Sequence, residues 1–180
     1  MDENILDTVD NVSTFLSFKL NKEFFAVNVA KVLTILELKP ITKVPNSPNY
    51  MRGVINLRGN VLPVIDMRIK FGMEATEFTK NTCIIVLNII IDQENIQLGI
   101  LVDTVDRVLE IKDSEIEESP AIGTKYKTEF IQGMYKLDKG FIMLLNIDLI
   151  FSTTELLITK DVEKLEKEDI EKIDAETNNA

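Results

Sequence analysis

Histidine is absent from all 180 residues. That removes the commonest general base, the commonest neutral metal ligand and any phosphohistidine chemistry. A single cysteine, Cys83, cannot form an internal disulfide and suits a reducing compartment. It opens the apolar run CIIVLNIII (83–91), so it reads as a small core hydrophobe, and no basic sequence neighbour marks it as a reactive thiol. The seven glycines are spread singly and form no phosphate-binding loop. Basic charge is scarce: 20 Lys and Arg face 30 Asp and Glu, giving a net charge of -10. Nucleic acid and anionic membrane surfaces are poor partners for such a chain. Long hydrophobic runs are missing too, since residues 83–91 fall far short of the roughly 18 needed to span a bilayer. The first residues, MDENILDTVDNVS, are acidic where a signal peptide is basic. The expectation is a soluble, cytoplasmic protein with no direct membrane insertion.

What is present is a dense pattern of short strands. TFLSFKL and EFFAVNV flank Asn21-Lys22, VINL and VLPVID flank Arg58-Gly59-Asn60, and GMYKL and FIMLLNI flank Asp138-Lys139-Gly140. Each reads as a β-hairpin with a turn at its polar apex. CIIVLNIII and IQLGILV are further strands, separated by Asp92-Gln93-Glu94-Asn95. Strands at this spacing point to barrels or a sandwich rather than a parallel α/β sheet. Asp66 is placed to cap a short helix running to Phe71, and another helix is expected from Ile150 through Leu157. Residues 1–13 read as a flexible acidic start. The segment 161–180 carries eight acids and three lysines, hence -5 of the net charge, and reads as a solvated tail.

The chain also resembles itself. FAVNVAKVLTI aligns with LGILVDTVDRV at an offset of 73, Phe25 with Leu98 and Ile35 with Val108. MRGVINLRGNVLPVIDM aligns with IQGMYKLDKGFIMLLNI at an offset of 80, Gly53 with Gly133 and Asp66 with Asn146. Two alignments in the same order imply an internal duplication of a β unit. A unit this small buries little on its own, so the two are expected to pack face to face, leaving an apolar groove at the seam for a partner.

No catalytic arrangement is present. Asp66 and Asp103 read as cap or turn acids. Arg58 sits at a hairpin apex, where it is either a solvated turn residue or a guanidinium carried to the groove to grip a partner's carboxylate or carbonyls. Val32, Ile35, Leu36 and Ile41 are divided between core and an exposed docking patch.

KVPNSPNYMRGVINLRGNVLPVIDMRIKF (43–71), CIIVLN (83–88), LGILVDTVDRVLEI (98–111) and GFIMLLNIDLIF (140–151) together resemble the CheW-like family of chemotaxis coupling proteins. The resemblance runs from about Phe15 to Leu157. It implies a mainly β fold of two five-stranded SH3-like barrels around a shared hydrophobic core. The expected bounds are 14–158 for the domain, roughly 14–80 and 81–150 for its subdomains, a C-terminal helix from about 150, and an acidic tail over 159–180. It also implies no enzymatic activity, no cofactor and no metal. Family members join the tips of methyl-accepting chemotaxis receptors to the regulatory domain of the histidine kinase CheA in signalling arrays. On that resemblance Arg58, Gly53, Cys83 and Ile84 would serve receptor binding, and Val32, Thr34 and Ile41 kinase binding. Thr34 departs from the family's usual glutamate in a V-x-E-I pattern, so the charged contact is missing or moved to Glu37. A CheV-type or other two-component scaffold carrying the same module is the alternative.

Overall fold

Eight of the nine residues in Cys83–Ile91 are apolar, more than a strand with one wet face would need. The computed structural model, which describes residues 9–119 and 130–151, explains the excess. Ile85, Leu87 and Ile89 point into one hydrophobic core, while Ile84 and Val86 point into another. The strand lies between two buried layers.

In chain order the elements are β1 (Val12–Leu20), β2 (Glu23–Asn28), a 3-10 turn (Val29–Lys31), β3 (Val32–Glu37), β4 (Met51–Leu57), β5 (Asn60–Asp66), α1 (Met67–Lys70), β6 (Cys83–Ile91) and β7 (Glu94–Val102). There follow β8 (Thr104–Lys112), a second 3-10 turn (Asp113–Glu115), β9 (Ile116–Glu117), β10 (Ile131–Leu137), β11 (Gly140–Leu145) and α2 (Ile147–Ile150). One sheet has the order β3-β6-β7-β5-β4; the other has β8-β1-β2-β11-β10, with the two-residue β9 at its end. The fold is mainly β, as the sequence leads one to expect, with β9 added to one of the two five-strand sets.

Sheet membership does not follow a division of the chain near residue 80. The stretches 14–80 and 81–150 each supply strands to both sheets: β1 and β2 pair with β8 and β11, and β3 and β5 pair with β6 and β7. One sheet is built from residues 32–102 and the other from the segments on either side. The reason is a reciprocal exchange, in which each half sends its third strand to the other half's first, and its fifth to the other half's second.

The duplication is visible in the register. β11 runs parallel to β2 with Leu144 opposite Ala26, and β5 runs parallel to β7 with Val64 opposite Gly99. These pairs interconvert by the offsets 73 (99 minus 26) and 80 (144 minus 64). The bulge between Met51 and Gly53 in the β4–β5 hairpin recurs between Ile131 and Gly133 in β10–β11, again 80 residues on. Tyr50 O accepts from Asp66 N, and Phe130 O accepts from Asn146 N in the same relation.

Among the described residues, three apolar clusters form the core. Phe15, Ala26, Ile111, Ile142 and Leu144 fill one sheet's interior, and Ile55, Leu62, Val64, Ile84, Val86 and Leu101 fill the other's. The largest cluster lies between the sheets and includes Phe18, Phe25, Ile65, Met67, Leu87, Leu98 and Ile100. Each such side chain contributes on the order of 1.5–3 kcal/mol by leaving water. The seam is therefore packed core, not the open apolar groove expected. The helix expected from Ile150 through Leu157 falls largely outside the described residues, as does the tail. Within the start of the chain, Asn11 O accepts from Asp113 N and Ser13 lies opposite Ile111, so strand pairing begins before residue 14.

Candidate protein-docking site

The β4–β5 hairpin closes with Leu57 opposite Asn60, leaving Arg58 and Gly59 as a two-residue turn. Both residues have positive φ, 53° and 81°, which gives the turn the twist the strands need. Asn56 Oδ1 accepts from Gly59 N at 3.0 Å and locks the apex. Arg58 is exposed, and its guanidinium stands at the tip of the sheet's terminal hairpin. A left-handed arginine costs about 1–2 kcal/mol that glycine or asparagine would largely avoid.

Gly53 has a different task. Its φ is +144°, and a Cβ there would lie 2.1 Å from the carbonyl oxygen of Thr42 and 2.9 Å from Ile41 Cγ2. The segment carrying Ile41 and Thr42 is laid against β4 by two bonds, Thr42 N to Val54 O and Val54 N to Thr42 O, both 2.9 Å. Gly53 and Ile41, expected to serve different partners, are thus packed together. Gly53 is buried and shapes the hairpin that carries Arg58.

Cys83 and Ile84 are not brought to Arg58. Cys83 lies opposite Val102, next to Leu101, which faces Asp66 at the far end of β5. Arg58 precedes the near end, so a strand length of roughly 20 Å separates them. Cys83 is half-buried, with its Sγ 3.2 Å from Asn81 O. Ile84 is fully buried in the sheet interior. Its placement on a partner-facing surface is corrected: both faces of β6 are covered, and Ile84 lies in the sheet interior.

The edge strand β3 alternates as well. Thr34 and Leu36, opposite Val86 and Ile84, are half-buried toward the sheet interior, the bulge between Val32 and Thr34 turns the half-buried Val32 to the opposite face, and Leu33, Ile35 and Glu37 are exposed. Ile41 is half-buried against the sheet interior and Val32 against the core between the sheets, so Val32, Thr34 and Ile41 form no single patch. The exposed apolar pair is Leu33 and Ile35. Sequence reasoning passed over Leu33; alternation beside the ambiguous Ile35 was the available signal. Glu37 shares their face and not that of Thr34, so it cannot replace a carboxylate at 34.

Buried polar chemistry is concentrated at Asp66. The carboxylate is fully buried and accepts from Arg52 Nη1 at 2.9 Å, Arg68 N at 3.0 Å, Thr76 N at 2.9 Å and Thr76 Oγ1 at 2.8 Å. It is a helix cap and loop anchor, fully occupied by donors. Asp103 receives Arg68 through two bonds, Nε to Oδ1 at 2.8 Å and Nη2 to Oδ2. That partner holds the Arg68 guanidinium above its already high ordinary pKa. Among the described residues no cluster of three metal-ligating side chains occurs, and no helix is long and apolar enough to cross a membrane.

The fold, two strand-exchanged SH3-like sheets, is matched by known proteins. Residues 14–155 match the CheW-like domain. The chain belongs to the CheW-like family. It is 32% identical over 83% of its length to chemotaxis protein CheW of Klebsiella aerogenes, covering 88% of that protein. It is 36% identical over 78% of its length to a probable CheW of Rhizobium etli, also covering 88%. The crystal structure of the scaffolding protein TtCheW from Thermoanaerobacter tengcongensis superposes with a TM-score of 0.71 at 28% identity, over 83% of this chain and 94% of that one. The chain is accordingly a chemotaxis scaffold of the CheW type.

Proposed function

We propose that this protein is a non-enzymatic adaptor that couples chemoreceptor cytoplasmic tips to the regulatory domain of the histidine kinase CheA. The family match across residues 14–155 carries the reading. The surface chemistry supports it. Arg58 offers five donors in a planar fork at an exposed apex, suited to carboxylates and carbonyls on a receptor helix. Gly53 contributes by holding that hairpin to the 41–42 segment, and Cys83 by its half-buried place at the start of β6. The kinase docks along β3. There Leu33 and Ile35 supply apolar area, while Val32, Thr34 and Ile41 set the position of the strand and its following segment by their packing. The protein works in the cytoplasm and is recruited to receptor arrays.

Capture assays with a receptor cytoplasmic fragment and with the CheA regulatory domain test both surfaces. Arg58→Glu is expected to keep the fold and lose receptor capture and receptor-dependent kinase control. Ile35→Asp is expected to lose kinase capture while receptor capture persists. Wild-type behaviour of Arg58→Glu in both assays reduces Arg58 to a turn residue and removes the receptor assignment.

A further inference from the structure

Two ion pairs each join the helix that follows one sheet's strand to the crossover from that sheet into the other, at corners related by the duplication. At the first corner Arg68, just after β5, pairs with Asp103, which links β7 to β8. At the second, Asp148 in α2 pairs with Lys31, which links β2 to β3, at 2.8 Å. Arg68 and Asp148 are equivalent positions, 80 apart as in the late hairpins. Asp103 is equivalent to Ala30, the neighbour of Lys31, by the offset of 73. The charges are reversed: the base is on the helix at one corner and on the crossover at the other.

Each acid also accepts one backbone amide from the opposite sheet's first hairpin. Asp103 Oδ2 takes Asn21 N at 2.6 Å, and Asp148 Oδ1 takes Ile90 N at 3.1 Å. Asn21 and Ile90 differ by 69, which is also the offset between Thr14 and Cys83, facing Glu110 and Glu37 respectively. The amides therefore share one register position, although the longer β6–β7 hairpin leaves Ile90 within its strand opposite Asn95 while Asn21 is in the turn after Leu20.

The corners are not equally fastened. Arg68 binds through two nitrogens, and its side chain and that of Asp103 are 20% and 18% exposed. Lys31 binds through one, and its side chain and that of Asp148 are 27% and 31% exposed. Asp103 N also donates to Lys19 O at 3.0 Å, whereas Ala30 N, its equivalent, is taken by the nearby Asn28 Oδ1. A bidentate, better-buried arginine pair is stronger and less screened than an exposed single-point lysine pair.

We propose that the Lys31–Asp148 corner is a labile clasp that detaches locally and in a salt-dependent way, while the Arg68–Asp103 corner holds the two sheets in place. Lys31 immediately precedes Val32, so detachment loosens the root of β3, where Val32 packs half-buried on the rim of the core between the sheets. This inference rests on the ion pairs and does not depend on the adaptor reading.

The two equivalent amides report on the two corners. In native-state hydrogen exchange, with rates corrected for neighbouring side chains, Ile90 N is expected to be at least about fivefold less protected than Asn21 N. Raising the salt from low to molar concentration is expected to widen the difference. Lys31→Met should lower protection at Ile90 and leave Asn21 unchanged, and Asp148→Asn, which keeps an acceptor oxygen, should do the same more weakly. Asp103→Asn should expose Asn21. Equal protection in the wild type, no response of Ile90 to salt, or loss at both amides in Lys31→Met overturns the proposal.

Discussion

The β4–β5 and β10–β11 hairpins are copies that end differently. Both have a bulge before a glycine, the same parallel joint to a first-hairpin strand and a short helix after the second strand. At the first apex positive φ falls on Arg58 and Gly59; at the second it falls on Gly140, with φ 100°, and neither Asp138 nor Lys139 adopts it. One residue further on, Val61 is buried while its equivalent Phe141 is 44% exposed. The repeated frame thus fixes the strands, and the apices are free to diverge. Only the first copy bends an arginine into an unfavourable conformation. On the proposed function, that cost at an exposed tip serves contact with a receptor rather than stability.

The glycines before the two hairpins provide the sharpest way to break the equivalence. Gly53→Ala places a methyl against backbone, in a conformation L side chains rarely adopt. A loss of about 4 kcal/mol or more, or failure to fold, is expected in denaturant unfolding. Gly133→Ala meets Ile116 Cγ2 at 2.4 Å and the Glu117 carbonyl oxygen only at 3.1 Å, with no left-handed φ, so a smaller loss of about 1–3 kcal/mol is expected. Equal losses would mean that the 41–42 segment yields as easily as Ile116 does.

The residues that start the two short helices come next. Asp66 is buried with four donors, whereas Asn146 makes no side-chain capping bond. Asp66→Ala removes the shared acceptor of Arg52, Arg68 N and Thr76 and leaves the Arg52 charge without its carboxylate, so it is expected to cost about 3–5 kcal/mol. Asn146→Ala is expected to stay within about 0.5 kcal/mol. The urea midpoints of the two variants measure the difference.

Much of this frame was legible. The hairpins, the two offsets and the cap at Asp66 follow from alternation, turn residues and aligned glycines, which are local signals. The exchange of strands between halves was not legible, because pairing of β3 with β6 or β5 with β7 leaves no mark within either strand. Nor could alternation decide that Ile84 faces inward, since β6 is buried on both sides. Thr34 was separable from Ile35 by period, but the bulge that turns Val32 to the other face depended on β6. The link from Lys31 to Asp148 spans 117 positions (148 minus 31) and shows only once the duplicated register is known.

The apices themselves should respond with opposite signs. Arg58→Gly relieves the left-handed arginine and is expected to raise stability by up to about 1 kcal/mol while weakening receptor capture. Asp138→Gly relieves nothing and adds chain entropy to the unfolded state, so a loss of about 0.5–1 kcal/mol is expected. Thermal unfolding of both variants checks the signs. A destabilised Arg58→Gly would show that the arginine stem packs usefully, and would weaken the argument from strain.

The smallest expected effect concerns how each half begins. Before β1, Asp10 accepts from Ser114 N at 3.1 Å and from the Ser114 hydroxyl, tying the chain to the turn after β8. Before β6, the corresponding loop is bonded to itself, Thr79 N to Thr82 Oγ1 and Thr82 N to Thr79 O. The Ser114 bonds hold the Asp10 carboxyl below its ordinary value of 3.8. A depressed folded-state pKa means that the tether's contribution is complete above the unfolded value and fades as pH falls through the folded one. Amide exchange at Ser114 should therefore quicken only below about pH 4, with no matching change at Thr82. Asp10→Asn should remove the acid dependence at Ser114 and leave stability near neutrality almost unaltered, because the tether is fully exposed to solvent. An acid transition at Ser114 that survives in Asp10→Asn would place the titrating group elsewhere and leave the two halves alike at their starts.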